Sequence, residues 1–227
     1  MKVVVSIGGS VLAPDLSTGR VAGYAQVLED VDESGHDLGV VVGGGETARE
    51  YIATARELGA NEIELDQLGI GVTRLNARLL AGALDDRAVP TPPETHQEAR
   101  AAMRRGDVPV MGGTEAGHTT DAVATALAEY VEADLLVYAT SVPGVFDADP
   151  NEDPDATQYD EMTVSDLVSL VGSRELEAGM NVPVDLLAAK LLQRAGIRAA
   201  VVDGTDPTAV ASAIAGDHQG TDVVPDA

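Results

Sequence analysis

Cysteine, tryptophan and lysine are absent or nearly absent from this sequence. Its 227 residues contain no Cys, no Trp, a single Phe and only two Lys, Lys2 and Lys190, beside 12 Arg. The lack of Cys excludes disulfides, thiolate catalysis and Cys-based metal sites, and it favours a cytoplasmic protein. No apolar run approaches the roughly 18 residues of a membrane span, and a strand pattern starts at Lys2, so we expect neither a membrane segment nor a signal peptide.

Positive charge is scarce as well. Asp and Glu number 38 against 14 Lys and Arg, which gives a net charge of −24. A surface this acidic argues against binding to nucleic acid or to an anionic membrane. With few aromatic residues and little Lys, the composition is typical of a halophilic protein, because a Debye length of about 3 Å in molar salt screens the repulsion. We expect the fold to be lost at low salt; an ordinary acidic surface is the alternative.

Short apolar runs alternate with longer amphipathic stretches, the pattern of βα units around a mainly parallel sheet. Near-continuous apolar runs predict strands covered on both faces at 3–7, 38–42, 108–111, 135–139 and 199–202. Helices are predicted over 47–58, 65–84, 94–105, 121–131, 164–171, 184–195 and 207–215, and the longest irregular stretch over 147–160. We expect one α/β domain over 1–227, with a change of composition near Gly106 that divides it into two lobes sharing one sheet.

Three predicted strands end in glycine clusters, at 8–9, 43–45 and 112–113. In open α/β sheets, ligands bind beyond the carboxyl ends of the strands. Glycine lets backbone amides approach phosphate oxygens closely. One such cluster is most simply a tight turn, but three at one edge favour a phosphate-binding cleft. The phosphate loop of P-loop proteins and the dinucleotide fingerprint are both missing, which excludes those two classes.

Two further features are candidates for chemistry. Thr119-Thr120-Asp121 opens the helix after the third glycine cluster, although helix capping explains one Thr and the Asp equally well. Lys190 lies among apolar residues in a chain with one other lysine, which favours a functional role over a solvated side chain. The four His lack metal-ligand spacing. The acidic run from Asp147 lacks the glycine and the glutamate of a calcium loop. No metal site of the protein's own is predicted.

Six segments, in order and spacing, resemble the amino acid kinase superfamily and, within it, the UMP kinases of the archaeal type. They are VSIGGSVL, VVVGGGETAREY, LDQLGIGVTRLNA, VPVMGGTEAGHTTDAVA, LLVYATSVPGVFDADP and VDLLAAKLL, and the resemblance covers essentially the whole chain. It implies a three-layer αβα sandwich with an open, mainly parallel sheet of about eight strands. The acceptor-binding lobe would span about 1–110 and the ATP-binding lobe about 111–227.

The resemblance also implies an activity and an assembly. The γ-phosphate of ATP would pass to UMP, giving UDP and ADP in pyrimidine nucleotide biosynthesis, with Mg²⁺ accompanying the ATP. Such a phosphotransferase would work in the cytoplasm as a homohexamer, a trimer of dimers.

Residues that match the family motifs take implied roles. Lys190 would neutralise charge on the phosphates, and Asp121 would orient the donors around them. ATP would be bound by Gly9, Ser10, Gly45, Arg49, Thr140, Ser141, Phe146 and Asp149. UMP would be bound by Gly44, Asp66, Thr114, His118, Thr119 and Thr120.

The chain departs from the family pattern at two positions. Ser6 stands where most relatives carry a lysine just before the first glycine loop. Pro143 stands where UMP kinases usually carry Asp, in the loop expected to hold adenosine.

Three alternative functions remain. Isopentenyl phosphate kinase has the same fold, but its second glycine loop typically leads to a histidine, and residues 46–49 contain none. Acetylglutamate kinase carries an asparagine in its version of the motif at 119–121. A nucleotide-binding regulatory or storage protein without turnover is the alternative from another class, and the presence of both Asp121 and Lys190 argues against it.

Overall fold

The computed structural model describes residues 1–84, 86–150, 153, 155–174 and 183–226. Seven strands and nine helices lie within these residues. In chain order they are β1 (Lys2–Ile7), α1 (Gly9–Leu12), α2 (Thr18–Glu33), β2 (Asp37–Val42), α3 (Gly45–Glu57), α4 (Glu62–Ala81), α5 (His96–Met103), β3 (Val110–Met111), α6 (Thr120–Val131), β4 (Leu135–Thr140), β5 (Glu161–Thr163), α7 (Val164–Arg174), α8 (Leu186–Ala195), β6 (Arg198–Asp203), α9 (Thr208–Ala215) and β7 (Thr221–Val224).

The strands form one sheet with the order β3-β2-β1-β4-β6-β7-β5. Neighbouring strands are parallel except β6 and β7, which are antiparallel. The sheet of about eight strands that the family resemblance implied therefore has seven in the described part of the chain. Outside these strands, the described residues also form two isolated bridges, Ala88 with Val108 and Phe146 with Gln158.

Helices cover both faces of the sheet, as the near-continuous apolar strands predicted. Successive side chains of a strand point to opposite faces. Val3 and Val5 pack with α2, α4 and α9 on one face, whereas Val4 packs with α5, α6, α7 and α8 on the other. The three-layer αβα architecture is thus confirmed. No described helix combines the length and the apolar character needed to cross a bilayer.

Strands β1, β2, β4 and β6 are close to their predicted ranges, but other elements differ. Strand β3 is limited to Val110–Met111 instead of 108–111, because Pro109 has no amide hydrogen to donate to a neighbouring strand. Helix α2 was not predicted: Gly19 and Gly23 lower its helix propensity, and packing of Tyr24 and its neighbours against the sheet compensates.

Several helix boundaries also shift. Helix α4 begins near residue 62 rather than 65, because Asn61 and Glu64 form a reciprocal capping box. Helix α5 is shorter than 94–105 and is capped by Thr95. The short α1, β5 and β7 were missed. In the stretch predicted to be irregular over 147–160, residues 151, 152 and 154 lie outside the described part.

Candidate active site

The first two glycine loops lie against each other at the carboxyl ends of β1 and β2. A Cβ atom on Gly9 would stand 2.1 Å from the Gly45 nitrogen and 2.5 Å from the Gly43 carbonyl carbon. Gly43 N–H donates to Ile7 O over 2.9 Å, and Gly8 N–H donates to Ala139 O over 2.9 Å. Each loop is therefore fixed to a strand end, and no side chain fits between them. The prediction that these clusters share one edge of the sheet is confirmed.

The third glycine loop packs on α4. A Cβ on Gly112 would lie 2.6 Å from the Arg74 nitrogen, and Gly113 N–H donates to the Thr73 hydroxyl over 2.6 Å. The same helix reaches the second loop, because the Asn76 amide donates to Gly43 O over 2.8 Å. Helix α4 thus ties the second and third glycine loops together.

The residues of α4 that do this were not identified from the sequence. Thr73 and Asn76 are 7% and 5% exposed. Buried polar side chains are normally hydrogen-bonded. Their spacing of three residues on an otherwise apolar helix face is a signal that could have found them, because such residues share one face of a helix.

A cavity of about 250 Å³ lies between the second and third loops and the start of α6. Its lining includes five residues predicted to bind the phosphoryl acceptor: Gly44, Asp66, His118, Thr119 and Thr120. One carboxylate oxygen of Asp66 accepts the Gly117 N–H over 2.7 Å, which ties the loop before α6 to α4. The structure therefore brings most of that predicted set around one space. Thr114, between Gly113 and Glu115 of the lining, is partly exposed.

Asp121, in the first turn of α6, carries a perturbed carboxyl group. Its Oδ1 accepts a hydrogen bond from the Ser6 hydroxyl over 2.8 Å. The pKa of Asp121 is raised to about 6. Burial is the main cause and the charge of Asp185 adds to it, whereas the hydrogen bond from Ser6 opposes the rise. Asp121 therefore takes up a proton at a higher pH than an ordinary aspartate does.

Asp185 joins the starts of α6 and α8. Its Oδ2 accepts the Thr119 hydroxyl over 2.5 Å, while its Oδ1 accepts the Leu187 and Ala188 amides over 2.8 and 3.0 Å. Asp185 was not among the residues predicted to form the site. The signal was present, since an Asp directly before an apolar helix is a typical N-cap.

The sequence matches the model of the amino acid kinase family over residues 1–203. The chain belongs to this family.

Relatives of this amino acid kinase are found along its whole length. It is 64% identical over 228 residues to the uridylate kinase of Haloarcula marismortui, with 100% of both chains covered. The crystal structure of uridylate kinase from Archaeoglobus fulgidus matches with a TM-score of 0.90 at 43% identity, covering 99% of this chain and 100% of that one. The UMP kinase structure from Bacillus anthracis shares the fold, with a TM-score of 0.82 at 23% identity over 100% of this chain and 96% of that one.

On the side of the kinase predicted to hold ATP, Ser10 follows Gly9 and lies beside the second loop: a Cβ on Gly45 would be 2.8 Å from the Ser10 nitrogen. The Arg49 guanidinium pairs with Glu46, and both side chains are exposed. Thr140 lies at the end of β4, where its carbonyl accepts the Gly204 N–H over 2.8 Å.

The remaining predicted ATP residues follow in the loop after β4. Ser141 is exposed, Phe146 is partly buried at its bridge with Gln158, and Asp149 is buried. Their role in binding adenosine stays a prediction.

Lys190 is exposed on α8, whereas Ala188, Ala189 and Leu192 turn the buried side of that helix toward the core. Lys190 is not one of the described residues that line the cavity between the second and third glycine loops. Its α-carbon lies about 7.5 Å along the helix axis from Asp185. Because Cα–Cβ bonds in a helix tilt toward its N-terminus, the Cβ of Lys190 lies on the side of its α-carbon nearer to Asp185. Its role as the catalytic cation stays a prediction.

Proposed function

We propose that this amino acid kinase transfers the γ-phosphoryl group of ATP to UMP, producing UDP and ADP in pyrimidine nucleotide biosynthesis. The observation that carries the proposal is the contact of Gly9 with Gly45 at the rim of a cavity that holds Asp66, Thr119 and Thr120. Full-length identity to uridylate kinases supports UMP as the acceptor. The Cys-free composition supports the cytoplasm as the place of the reaction.

The acceptor lobe, about 1–110 together with the loop before α6, would bind UMP. One Asp66 oxygen is occupied by Gly117, and the carboxylate keeps further lone pairs for the ribose hydroxyls. Thr114, His118, Thr119 and Thr120 would bind the phosphate and the base, and Gly44 would border them. Backbone amides at the start of α6 carry partial positive charge, which favours a phosphate at that end of the helix.

ATP would bind to the ATP lobe, about 111–227, with its phosphate tail against the first two glycine loops. There it would contact Gly9, Ser10, Gly45 and Arg49. Thr140, Ser141, Phe146 and Asp149 would hold the adenosine half. Both side chains of the ion pair between Arg49 and Glu46 are exposed to solvent. Because such pairs contribute at most about 1 kcal/mol, a phosphate can displace Glu46 at small cost.

Among the described residues, no group of three or more His, Asp or Glu side chains is arranged to hold a metal ion. Mg²⁺ would enter with ATP, as the resemblance to the family implies and as is common for this ion with phosphate substrates. In that complex it would neutralise part of the phosphate charge.

The chain's own residues would align the two phosphates and place partial positive charge around them, which is most of what phosphoryl transfer requires. The UMP phosphate is ionised near pH 7, so the attacking oxygen needs no general base. Asp121 would orient the donors at the start of α6. The local amides and cations let a chain of charge −24 accept two anions.

The activity is tested by incubating the protein with Mg²⁺ and ATP in molar KCl, with UMP, isopentenyl phosphate or N-acetylglutamate as acceptor. We expect UDP and ADP with UMP alone, measured by anion-exchange chromatography. ADP formation that depends on isopentenyl phosphate or N-acetylglutamate would replace the proposal with the corresponding kinase. Nucleotide binding without turnover would favour the regulatory or storage protein.

Replacing Lys190 with alanine is expected to lower kcat for UMP phosphorylation by about 10² to 10³, the typical loss when one donor to the transition state is removed. Gln193→Ala, on the exposed side of the same helix, is the matched control and should retain full activity. Steady-state kinetics in molar KCl measures both. If the Lys190→Ala variant keeps full turnover, another residue must supply the positive charge, and Arg49 is the next to be tested.

We also propose that the kinase assembles as a homohexamer, a trimer of dimers. Large apolar side chains stand exposed on α3, α4 and the turn between them, among them Tyr51 at 58% and Leu58 at 84%. Together with Leu68 they border a surface groove. Burial of such a patch between copies stabilises an assembly. Light scattering in molar KCl should give six times the chain mass of 23.3 kDa; a monomer would contradict the proposal.

A further inference from the structure

We propose that Ser6 is the positioning residue that holds the Asp121 carboxylate in its working orientation. The inference rests on the proposed function, because it assigns Ser6 a part in phosphoryl transfer. Its basis is one contact between distant parts of the chain: the Ser6 hydroxyl donates to Asp121 Oδ1 over 2.8 Å, across 115 residues of sequence. Ser6 itself is 2% exposed.

The surroundings of Ser6 leave its hydroxyl few other partners. Ser6 lies in β1, between Val41 of β2 and Tyr138 of β4. Val4, Val41 and Tyr138 belong to the core cluster beneath α6. Because a buried hydroxyl without a hydrogen bond costs several kcal/mol in apolar surroundings, its contact with the carboxylate is strongly favoured.

The backbone of Asp121 is held independently of Ser6. The Thr125 hydroxyl donates to the Asp121 carbonyl over 2.7 Å, and it lies 2.6 Å from the Tyr138 hydroxyl. The two hydrogen bonds therefore have separate roles, since Thr125 anchors the first turn of α6 and Ser6 orients the carboxyl group. Thr120, the preceding residue, lines the acceptor cavity.

Several polar groups around Asp121 bear on its charge. From α8, Asp185 adds a negative charge; from β4, Tyr138 is a phenol whose pKa burial keeps well above its usual value, so it stays neutral. From α5, His96 contacts the Val123 carbonyl over 3.1 Å rather than the carboxyl group. Ser6 is the neighbour whose hydrogen bond lowers the pKa of Asp121, against burial and Asp185, which raise it to about 6.

Removing the Ser6 hydroxyl should therefore shift the acid limb of the pH profile of kcat to higher pH. Without that donor, the pKa of Asp121 rises above 6, so the carboxyl group becomes protonated at higher pH. For Ser6→Ala we expect the acid limb of kcat to shift upward by about one pH unit, the size of a hydrogen bond to a charged group. Relative to wild type, turnover falls about threefold near pH 6.5, approaches a tenfold loss near pH 5 and largely recovers near pH 8.5.

Two further variants separate positioning from packing. Ser6→Thr keeps a hydroxyl and should restore the wild-type acid limb. Tyr138→Phe removes a hydroxyl beside Ser6 that contacts Thr125 and not the carboxyl group, so its acid limb should stay where it is. Thermal unfolding in molar KCl confirms that each variant is folded; if Ser6→Ala is not, Ser6→Gly, which also lacks the donor, takes its place in the same comparison.

The outcomes distinguish this inference from the proposed function. A wild-type chain that does not phosphorylate UMP overturns the proposed function. A wild-type chain that does so, with the same acid limb in Ser6→Ala and Ser6→Gly, overturns the role of Ser6 alone. An equal shift in Tyr138→Phe also overturns it, because general loosening of the core would then explain the change.

Discussion

Replacing Gly9 with alanine is expected to lower the rate of UMP phosphorylation by at least about 10²-fold. The new Cβ would stand 2.1 Å from the Gly45 nitrogen and 2.5 Å from the carbonyl atoms of Gly43. These are backbone atoms, so a whole loop has to move. A displacement of about 1 Å at a reacting centre costs on the order of 10²-fold in rate, and overpacking a tight contact costs about 1–3 kcal/mol of stability.

Gly71→Ala is the matched control for this substitution. Gly71 lies in α4, next to residues of the same cavity, but a Cβ there meets no atom within 4 Å. Alanine has a higher helix propensity than glycine, so we expect a gain of up to about 1 kcal/mol with activity retained. Kinetics and thermal unfolding of both variants provide the test. A Gly9→Ala variant as active and stable as the control would contradict the contact between the first two loops.

Transfer from molar KCl to about 0.1 M salt is expected to unfold the protein or to lower its melting temperature by more than about 10 °C. The Debye length grows from about 3 Å to about 10 Å, and the repulsion within a net charge of −24 is no longer screened. Low salt also strengthens ion pairs such as Arg56 with Glu62 and Arg105 with Asp107. Exposed pairs contribute at most about 1 kcal/mol each, so the excess of carboxylates prevails.

Thermal unfolding followed by circular dichroism across a KCl series measures this effect. Relatives from halophilic organisms fit the expectation. Sucrose is the control, because it favours the compact state by exclusion and leaves charges unscreened. A melting temperature that does not respond to KCl, or that sucrose restores fully at low salt, would mean that charge screening is not what maintains this fold.

Much of the fold could be predicted from the sequence because local patterns carry it. Strands β1, β2, β4 and β6 are covered on both faces, so nearly all of their residues are apolar, and such a run can be recognised in the sequence. The glycine clusters were found because each follows such a strand. Helix α2 was missed because its two glycines weaken the local signal, while the contacts of Tyr24 that stabilise it are tertiary.

The residues of the candidate site likewise fall into two groups, those that local motifs predict and those that only tertiary contacts identify. Gly9, Gly45, Asp66 and Thr120 were predicted from motifs that are continuous in sequence. Asp185 was missed as a site residue because its partner Thr119 lies 66 residues away. Lys190 was interpreted from its apolar neighbours, yet those neighbours pack on one side of α8 and leave the lysine on the exposed side. A helix places adjacent residues on different faces, so neighbours in sequence do not define surroundings in space.

The sequence by itself determined strands β1, β2, β4 and β6, the resemblance to the family, the glycine clusters at the strand ends and the acidic composition, because each depends on residue type or on short-range spacing. Only the tertiary structure decided that Ser6 meets Asp121, that Asp185 meets Thr119 and that α4 joins two glycine loops. These contacts join segments far apart in the chain, and they exist only once the sheet brings the ends of its strands to one edge.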